Sequence, residues 1–157
     1  MSFLIILGVI TVVLFAAAFF TRRRIGVLGL ALAAGGMVST MWVGDLTPYI
    51  ERAGVVIIQP PLESLVASTL VLLPAVLLLF SGPVYKSSVQ RIGGAVIFAL
   101  LAVALLLPSI GAAFVIDATG RPVYEFLAQY RTVIVTIGLA ASVVDIILLK
   151  MPKHSRH

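Results

Sequence analysis

The sequence predicts an all-α integral membrane protein: a polytopic bundle of about five transmembrane helices with short interfacial amphipathic helices on the outer side. Apolar residues make up 61% of the 157 residues and charged residues only 11%, whereas a typical globular domain has about 45–50% and about 25%. The mean hydropathy is +1.20. Such a composition excludes a soluble protein, and it excludes intrinsic disorder, which needs low hydrophobicity and high charge.

Five apolar stretches are long enough to cross the hydrocarbon core of a bilayer, which is roughly 30 Å thick. The first stretch contains no charged residue. The third stretch is preceded by Pro60, Pro61 and Glu63. Proline and an acidic residue both suit the start of a helix, where the N–H groups have no partner. The loops between the stretches are short, so the chain is a single transmembrane domain over residues 1–157. The predicted spans are about 3–20, 25–44, 65–80, 92–113 and 132–149.

Two amphipathic segments, about 46–53 and 122–130, follow the second and fourth spans. In each, apolar residues recur at positions i, i+3, i+4 and i+7, which is the spacing of one helix face. Helices of this kind commonly lie in the headgroup plane with the apolar face down. They are either short connecting helices or a collar over a cavity between the spans.

The basic residues predict the orientation. If the spans alternate in direction, eight of the 11 Lys and Arg residues fall on one side, and five of the six acids fall on the other. Because basic loops stay in the cytoplasm, we expect a multi-pass protein of the cytoplasmic (inner) membrane with its N-terminus outside and its C-terminus inside. No Lys or Arg precedes the first span, which favours a retained helix over a cleaved signal peptide.

Arg22, Arg23 and Arg24 are the strongest part of this signal. Three positive charges directly after a span indicate a topology determinant that also binds anionic lipid headgroups on the cytoplasmic side. We therefore expect the lipid bilayer as a partner and no nucleic acid.

Asp145 is an ionisable residue inside the fifth predicted span. A charge at the bilayer centre costs about 2.5–3.5 kcal/mol on insertion scales, so such residues usually pair with another group. Pairing with the arginine triplet or with Lys86 would fix the fifth helix to a basic turn. The functional alternative is proton or cation handling.

Prolines and glycines mark places where helices bend or pack closely. Pro74 and Pro108 lie in the third and fourth spans, where they free backbone carbonyls and can kink a helix, sometimes around a cavity. Glycine lets membrane helices approach closely. Four glycines are proposed for close packing: Gly35 and Gly36 in the second span, and Gly93 and Gly94 at the start of the fourth. Gly26 and Gly29 also lie in the second span.

The chain has none of the motifs that carry common catalytic or cofactor chemistry. It contains no cysteine, and His154 and His157 lie in a polar tail without acidic neighbours, which does not suit a metal site. A P-loop, a dinucleotide fingerprint and an HExxH motif are all missing. We therefore predict no catalytic residues, no cofactor, no metal and no enzymatic activity.

A weak internal repeat relates the two halves of the chain. The sequence Arg24-Ile25-Gly26 opens the second span, and Arg91-Ile92-Gly93 opens the fourth. Parallel repeats of this kind occur in some transporters. Chance convergence, under the constraints that the membrane places on both pairs of helices, explains the match at least as well.

The layout resembles a known family. A basic turn at 21–26 leads into a Gly/Ala-rich second span, and the third span is followed by the segment 89–101. This resembles the colicin V production (CvpA-like) family of small bacterial membrane proteins, which typically carry Arg-x-x-Gly-x-x-x-Gly at a helix start. Arg91, Gly94 and Ala99 follow that element with a different spacing to the second small residue, and the family's later arginine is missing.

The resemblance covers roughly residues 1–107 and implies a bacterial inner-membrane protein needed for peptide export or envelope integrity. We accordingly expect a non-enzymatic accessory to export or envelope maintenance, present as a homo-oligomer or within a membrane protein complex. The alternative is a small homo-oligomeric transporter or channel, because one five-helix bundle leaves little room for a pore.

Overall fold

The computed structural model describes residues 3–54, 57, 60–80 and 88–150. Within these ranges the regular elements are five helices, each long and apolar enough to cross a membrane. The predicted all-helical architecture is confirmed, and the five helices indicate a multi-pass membrane protein. The predictions for Lys86, His154 and His157 lie outside the described residues. The helices are α1 (Phe3–Thr21), α2 (Ile25–Arg52), α3 (Leu62–Leu79), α4 (Ser88–Ala113) and α5 (Arg121–Lys150).

The structure corrects the prediction of separate interfacial helices. The segment 46–53 forms the last two turns of α2 and its C-cap, with Pro48 inside the helix, and the segment 122–130 forms the first turns of α5. Extending an existing helix needs no new nucleus, which is the unfavourable step in helix formation. Gly44 lies just before the segment 46–53, and a glycine inside a helix costs only about 1 kcal/mol relative to alanine. The two spans therefore continue through their amphipathic ends.

Contacts between helix ends show that the chain alternates in direction. Arg23, just before α2, donates to the C-terminal carbonyls of α3, and Gly26 near the start of α2 contacts Asp145 near the end of α5. Arg91 near the start of α4 lies over Phe19 near the end of α1. The end of the bundle that holds these contacts is called the basic end, and the opposite end the acidic end.

Charge is divided between the two ends as the alternating path predicts. The basic end holds Arg22, Arg23, Arg24 and Arg91. Five of the six acids lie in the acidic-end portions of the helices or in the loop between α4 and α5, and these are Asp45, Glu51, Glu63, Asp117 and Glu125.

Helix α4 lies at the centre of the bundle and packs against each of the other four helices. A continuous apolar core includes the fully buried side chains of Phe3, Leu28, Leu32, Phe98 and Leu101. Large apolar side chains on the outer faces are exposed instead. In a bilayer these outer faces lie against lipid tails, as expected of a membrane bundle.

The helix pairing bears on the predicted repeat. The two units of the repeat are α1 with α2 and α3 with α4. Helix α1 packs against α4, and α3 packs against α2. The first helix of each unit therefore packs on the second helix of the other unit. The matching glycines differ, however. Gly26 is tightly packed, whereas a Cβ added at Gly93 would meet no atom of the described residues within 4 Å. The two motifs therefore do not perform the same packing role.

Candidate functional site

Asp145 lies at the basic end and contacts two groups at the start of α2. Its Oδ2 accepts a hydrogen bond of 3.1 Å from the backbone N–H of Gly26, and its Oδ1 lies 3.7 Å from Nη1 of Arg24. The side chains of Arg24 and Asp145 are only 19% and 15% exposed. The carboxylate therefore pairs with the arginine triplet, which is one of the two partners that the sequence suggested.

The hydrogen bond from Gly26 has a simple physical cause. The first N–H groups of an α-helix have no partner inside the helix and carry partial positive charge. The N-cap residue of α2, Arg24, makes no side-chain cap of its own. Asp145 supplies the missing acceptor and the favourable negative charge from a different helix. This contact fastens the end of α5 to the start of α2.

The remaining arginines of the basic end have different environments. Arg23 donates from Nε to the carbonyl of Leu79 (3.0 Å) and from Nη2 to the carbonyl of Phe80 (2.9 Å), where a cation suits the negative end of the α3 dipole. The guanidinium of Arg91 lies 4.0 Å from the ring centroid of Phe19, a cation–π geometry. Arg22 is exposed and has a φ of +55°, the left-handed conformation that commonly ends a helix.

A line of small residues, here called the glycine seam, joins α2 to α5. It consists of Gly26 and Gly29 on α2 and of Ser142 on α5. A Cβ at Gly26 would lie 2.7 Å from the carbonyl oxygen of Ser142, and a Cβ at Gly29 would overlap Ser142 Oγ. Ser142 is completely buried and donates to the carbonyl of Gly138 at 2.8 Å. Only glycine fits on the α2 side of this contact.

The four glycines proposed for close packing behave differently. Gly35 contacts the α3 backbone so closely that an added Cβ would lie 2.8 Å from the carbonyl oxygen of Leu70, whereas at Gly36 the nearest atom would be 3.6 Å away. Gly94 is buried. Gly93 is exposed in the first turns of α4, and a Cβ there would meet no atom of the described residues within 4 Å.

Each of the two span prolines leaves a backbone carbonyl without its helical donor, and a neighbouring helix lies against that carbonyl. Pro108 has no N–H to donate to the carbonyl of Ala104 four residues earlier, and the Nε of Arg131 on α5 donates to that carbonyl at 3.0 Å instead. Pro74 likewise leaves the carbonyl of Leu70 without its helical donor, and that carbonyl faces Gly35. Pro108 therefore gives α4 a hydrogen bond to α5, whereas the carbonyl freed by Pro74 lies against the backbone of α2.

A cavity of about 860 Å³ lies between α2, α3, α4 and α5 in the half of the bundle nearer the acidic end. The lining residues nearest the middle of the bundle are apolar, and they are Ala33, Val71, Leu105 and Leu139. Polar and charged side chains also line the cavity, namely Ser39, Thr40, Ser64, Ser109, Glu63 and Arg131. Two of the predicted residues, Gly36 and Pro108, also line it.

Arg131 is the site residue that sequence reasoning missed. The fifth span was predicted to begin at residue 132, which placed this arginine in the outer loop. Since α5 begins at Arg121, Arg131 lies about 15 Å along the helix, and about 21 Å from Asp145, at 1.5 Å per residue. Arg131 therefore lies inside α5, one of the five helices that are long and apolar enough to cross a membrane. Pro108 was a usable signal, because a span proline leaves a carbonyl that needs a donor.

Comparison of the chain with protein-family models, with curated proteins and with solved structures finds no match. Membership of the CvpA-like family therefore stays a prediction. The candidate functional site consists of two parts: the ion-paired basic end around Asp145, and the cavity with Arg131 near the acidic end.

Proposed function

We propose that this chain is a non-enzymatic multi-pass protein of the cytoplasmic membrane that holds an amphipathic molecule in its cavity, as an accessory to export or envelope maintenance. The cavity is the observation that supports this function. Its volume of about 860 Å³ lies within the roughly 300–1,000 Å³ of pockets that hold one small ligand. Its mostly apolar wall with a few polar groups suits a molecule that has an apolar part and a polar part.

The charge division supports an orientation for this function. Basic residues stay on the cytoplasmic side, so the basic end faces the cytoplasm and the cavity serves the outer half of the membrane. The N-terminus is then outside and the C-terminus inside. Arg22, exposed at the basic end, is placed to contact anionic lipid headgroups.

Cysteine labelling tests the orientation without interference, because the chain has no cysteine of its own. Ala118 and Gln90 are exposed near the acidic and basic ends, respectively. In intact cells we expect a membrane-impermeant maleimide to label Ala118→Cys at once and Gln90→Cys only after the cells are opened. The reverse pattern would place the cavity on the cytoplasmic side.

The resemblance to the CvpA-like family supports the accessory role, in a homo-oligomer or a membrane protein complex. The alternative is a small homo-oligomeric transporter or channel, and the charged residues Arg131 and Asp145 at two depths favour it. Buried residues of the core, among them Leu28, Leu32 and Leu101, lie between those depths. A transport path therefore requires an assembly of chains or a second conformation.

Purification of the tagged full chain in a mild detergent from its own host tests both functions. The measurements are the particle mass and the identity of co-purifying proteins and lipids. A stable set of other membrane proteins supports the accessory role. A discrete homo-oligomer without partners supports the transporter or channel, which flux assays in liposomes would then examine.

A further inference from the structure

We infer that the cavity selects a single-chain amphiphile with an anionic headgroup, carboxylate or phosphate, and that Arg131 recognises the anion. This inference rests on the proposed function and names the ligand class of the same cavity. Three observations carry it: the unused donors of Arg131, its position relative to the apolar part of the cavity, and the cavity volume.

The first observation is that Arg131 has spare hydrogen-bonding capacity. A guanidinium carries five N–H donors. Within the part of the chain that the structure describes, Nε donates to the carbonyl of Ala104 at 3.0 Å, and neither Nη has a protein acceptor or a carboxylate at ion-pair distance. Arg131 is half-buried and lines the cavity, so these donors are available to a ligand.

The hydrogen bond to Ala104 also fixes the position of the guanidinium. A planar guanidinium held by Nε presents its terminal nitrogens as a rigid pair, which matches carboxylate and phosphate oxygens. An ionisable group in a membrane span usually pairs with another group. Here the protein supplies a neutral carbonyl as the partner, which leaves the positive charge uncompensated. A bound anion would neutralise that charge.

The second observation concerns where the apolar surface lies. Val135 and Leu139 follow Arg131 by one and two turns on α5, and both line the cavity. Together with Leu105 and Val71 they form an apolar wall that extends about 12 Å from Arg131 towards the middle of the bundle, at 1.5 Å per residue. A ligand with its anion at Arg131 would therefore direct its chain towards the bilayer midplane, as a lipid of that leaflet does.

The third observation limits the size and charge of the ligand. A cavity of about 860 Å³ is of the size that takes one small ligand, which favours one acyl chain over two. Glu63 lines the cavity from the first turn of α3, at the acidic end. Its negative charge disfavours a second negative group on the same headgroup. A singly charged carboxylate or phosphate suits this arrangement.

The test uses the purified full chain in maltoside micelles and three probes of equal chain length: dodecanoate, dodecanoyl-lysophosphatidylglycerol, whose phosphodiester carries one negative charge, and the uncharged monododecanoyl glycerol. Calorimetric titration gives the three affinities. We expect both anions to bind at least about tenfold more tightly than the neutral probe, which is the effect of about 1.4 kcal/mol of charge-assisted hydrogen bonding. The ratio of the two anions distinguishes a fatty-acid source from a phospholipid source.

Variants separate recognition from folding. Arg131→Gln keeps a donor for the carbonyl of Ala104 and should reduce the anion preference to near unity, while Arg131→Lys should retain part of it. Arg121→Gln, at the exposed start of α5, is the matched control and should change nothing. Gly36→Leu fills the cavity and should weaken all three probes without removing a charge.

Equal binding of anionic and neutral probes by the unmodified chain would overturn this inference and leave the proposed function standing. An anion preference that survives in Arg131→Gln would also overturn it. If no probe binds, or if Gly36→Leu binds all three unchanged, the cavity is not a ligand site and both proposals fail.

Discussion

Replacing Gly29 by alanine is expected to lower the free energy of unfolding by about 2 kcal/mol. The added Cβ would overlap Ser142 Oγ, so α2 and α5 must move apart along the glycine seam. Overpacking of this kind costs up to about 3 kcal/mol, and the better helix propensity of alanine returns about 1 kcal/mol. Unfolding of the purified chain in mixed micelles, followed by circular dichroism, measures the difference.

A compensating substitution makes this expectation specific. Ser142→Gly removes both the Oγ and the Cβ that obstruct position 29, after which the next nearest atom would be Leu101 Cδ2 at 3.4 Å, an ordinary contact. The double variant Gly29→Ala with Ser142→Gly should therefore be more stable than Gly29→Ala alone. Gly93→Ala is the control, because its Cβ would meet no atom within 4 Å in the part of the chain that the structure describes. Equal stability of Gly29→Ala and Gly93→Ala would contradict the close contact between α2 and α5.

The spans were predictable because they depend on composition alone. About 20 consecutive apolar residues identify a spanning helix whatever it packs against. The pairing of Asp145 with the arginine triplet was accessible for a related reason, since alternating spans bring both to the same side of the membrane. These two inferences needed only the order of the helices.

The ends of α2 and α5 were not predictable in the same way. Apolar residues at i, i+3, i+4 and i+7 mark a helix face, but the same pattern occurs in an interfacial helix and in the projecting end of a span. The error moved the predicted start of the fifth helix past Arg131 and so placed that residue in a loop, whereas it lies inside α5. The cavity and the glycine seam depend on the relative positions of helices, which one sequence does not contain.

Replacing Asp145 by alanine is expected to destabilise the bundle by about 3 kcal/mol, because it leaves a largely buried arginine without its carboxylate and a helix start without its acceptor. Asp145→Asn should cost less than Asp145→Ala. The amide oxygen of asparagine still accepts from the N–H of Gly26, and only the attraction to Arg24 is lost. Unfolding in mixed micelles, compared with Arg24→Gln, gives the two contributions.

The double variant Asp145→Asn with Arg24→Gln completes the cycle. Each single change removes one member of the ion pair between Arg24 and Asp145, so the double variant should be more stable than the sum of the single effects implies. Additive effects would mean that the ion pair contributes nothing and that the cap on α2 is the whole contribution of Asp145. A different result would assign the carboxylate to proton or cation movement: Asp145→Asn keeps its stability and abundance but no longer supports transport. The ion pair with Arg24 would then not be needed for folding.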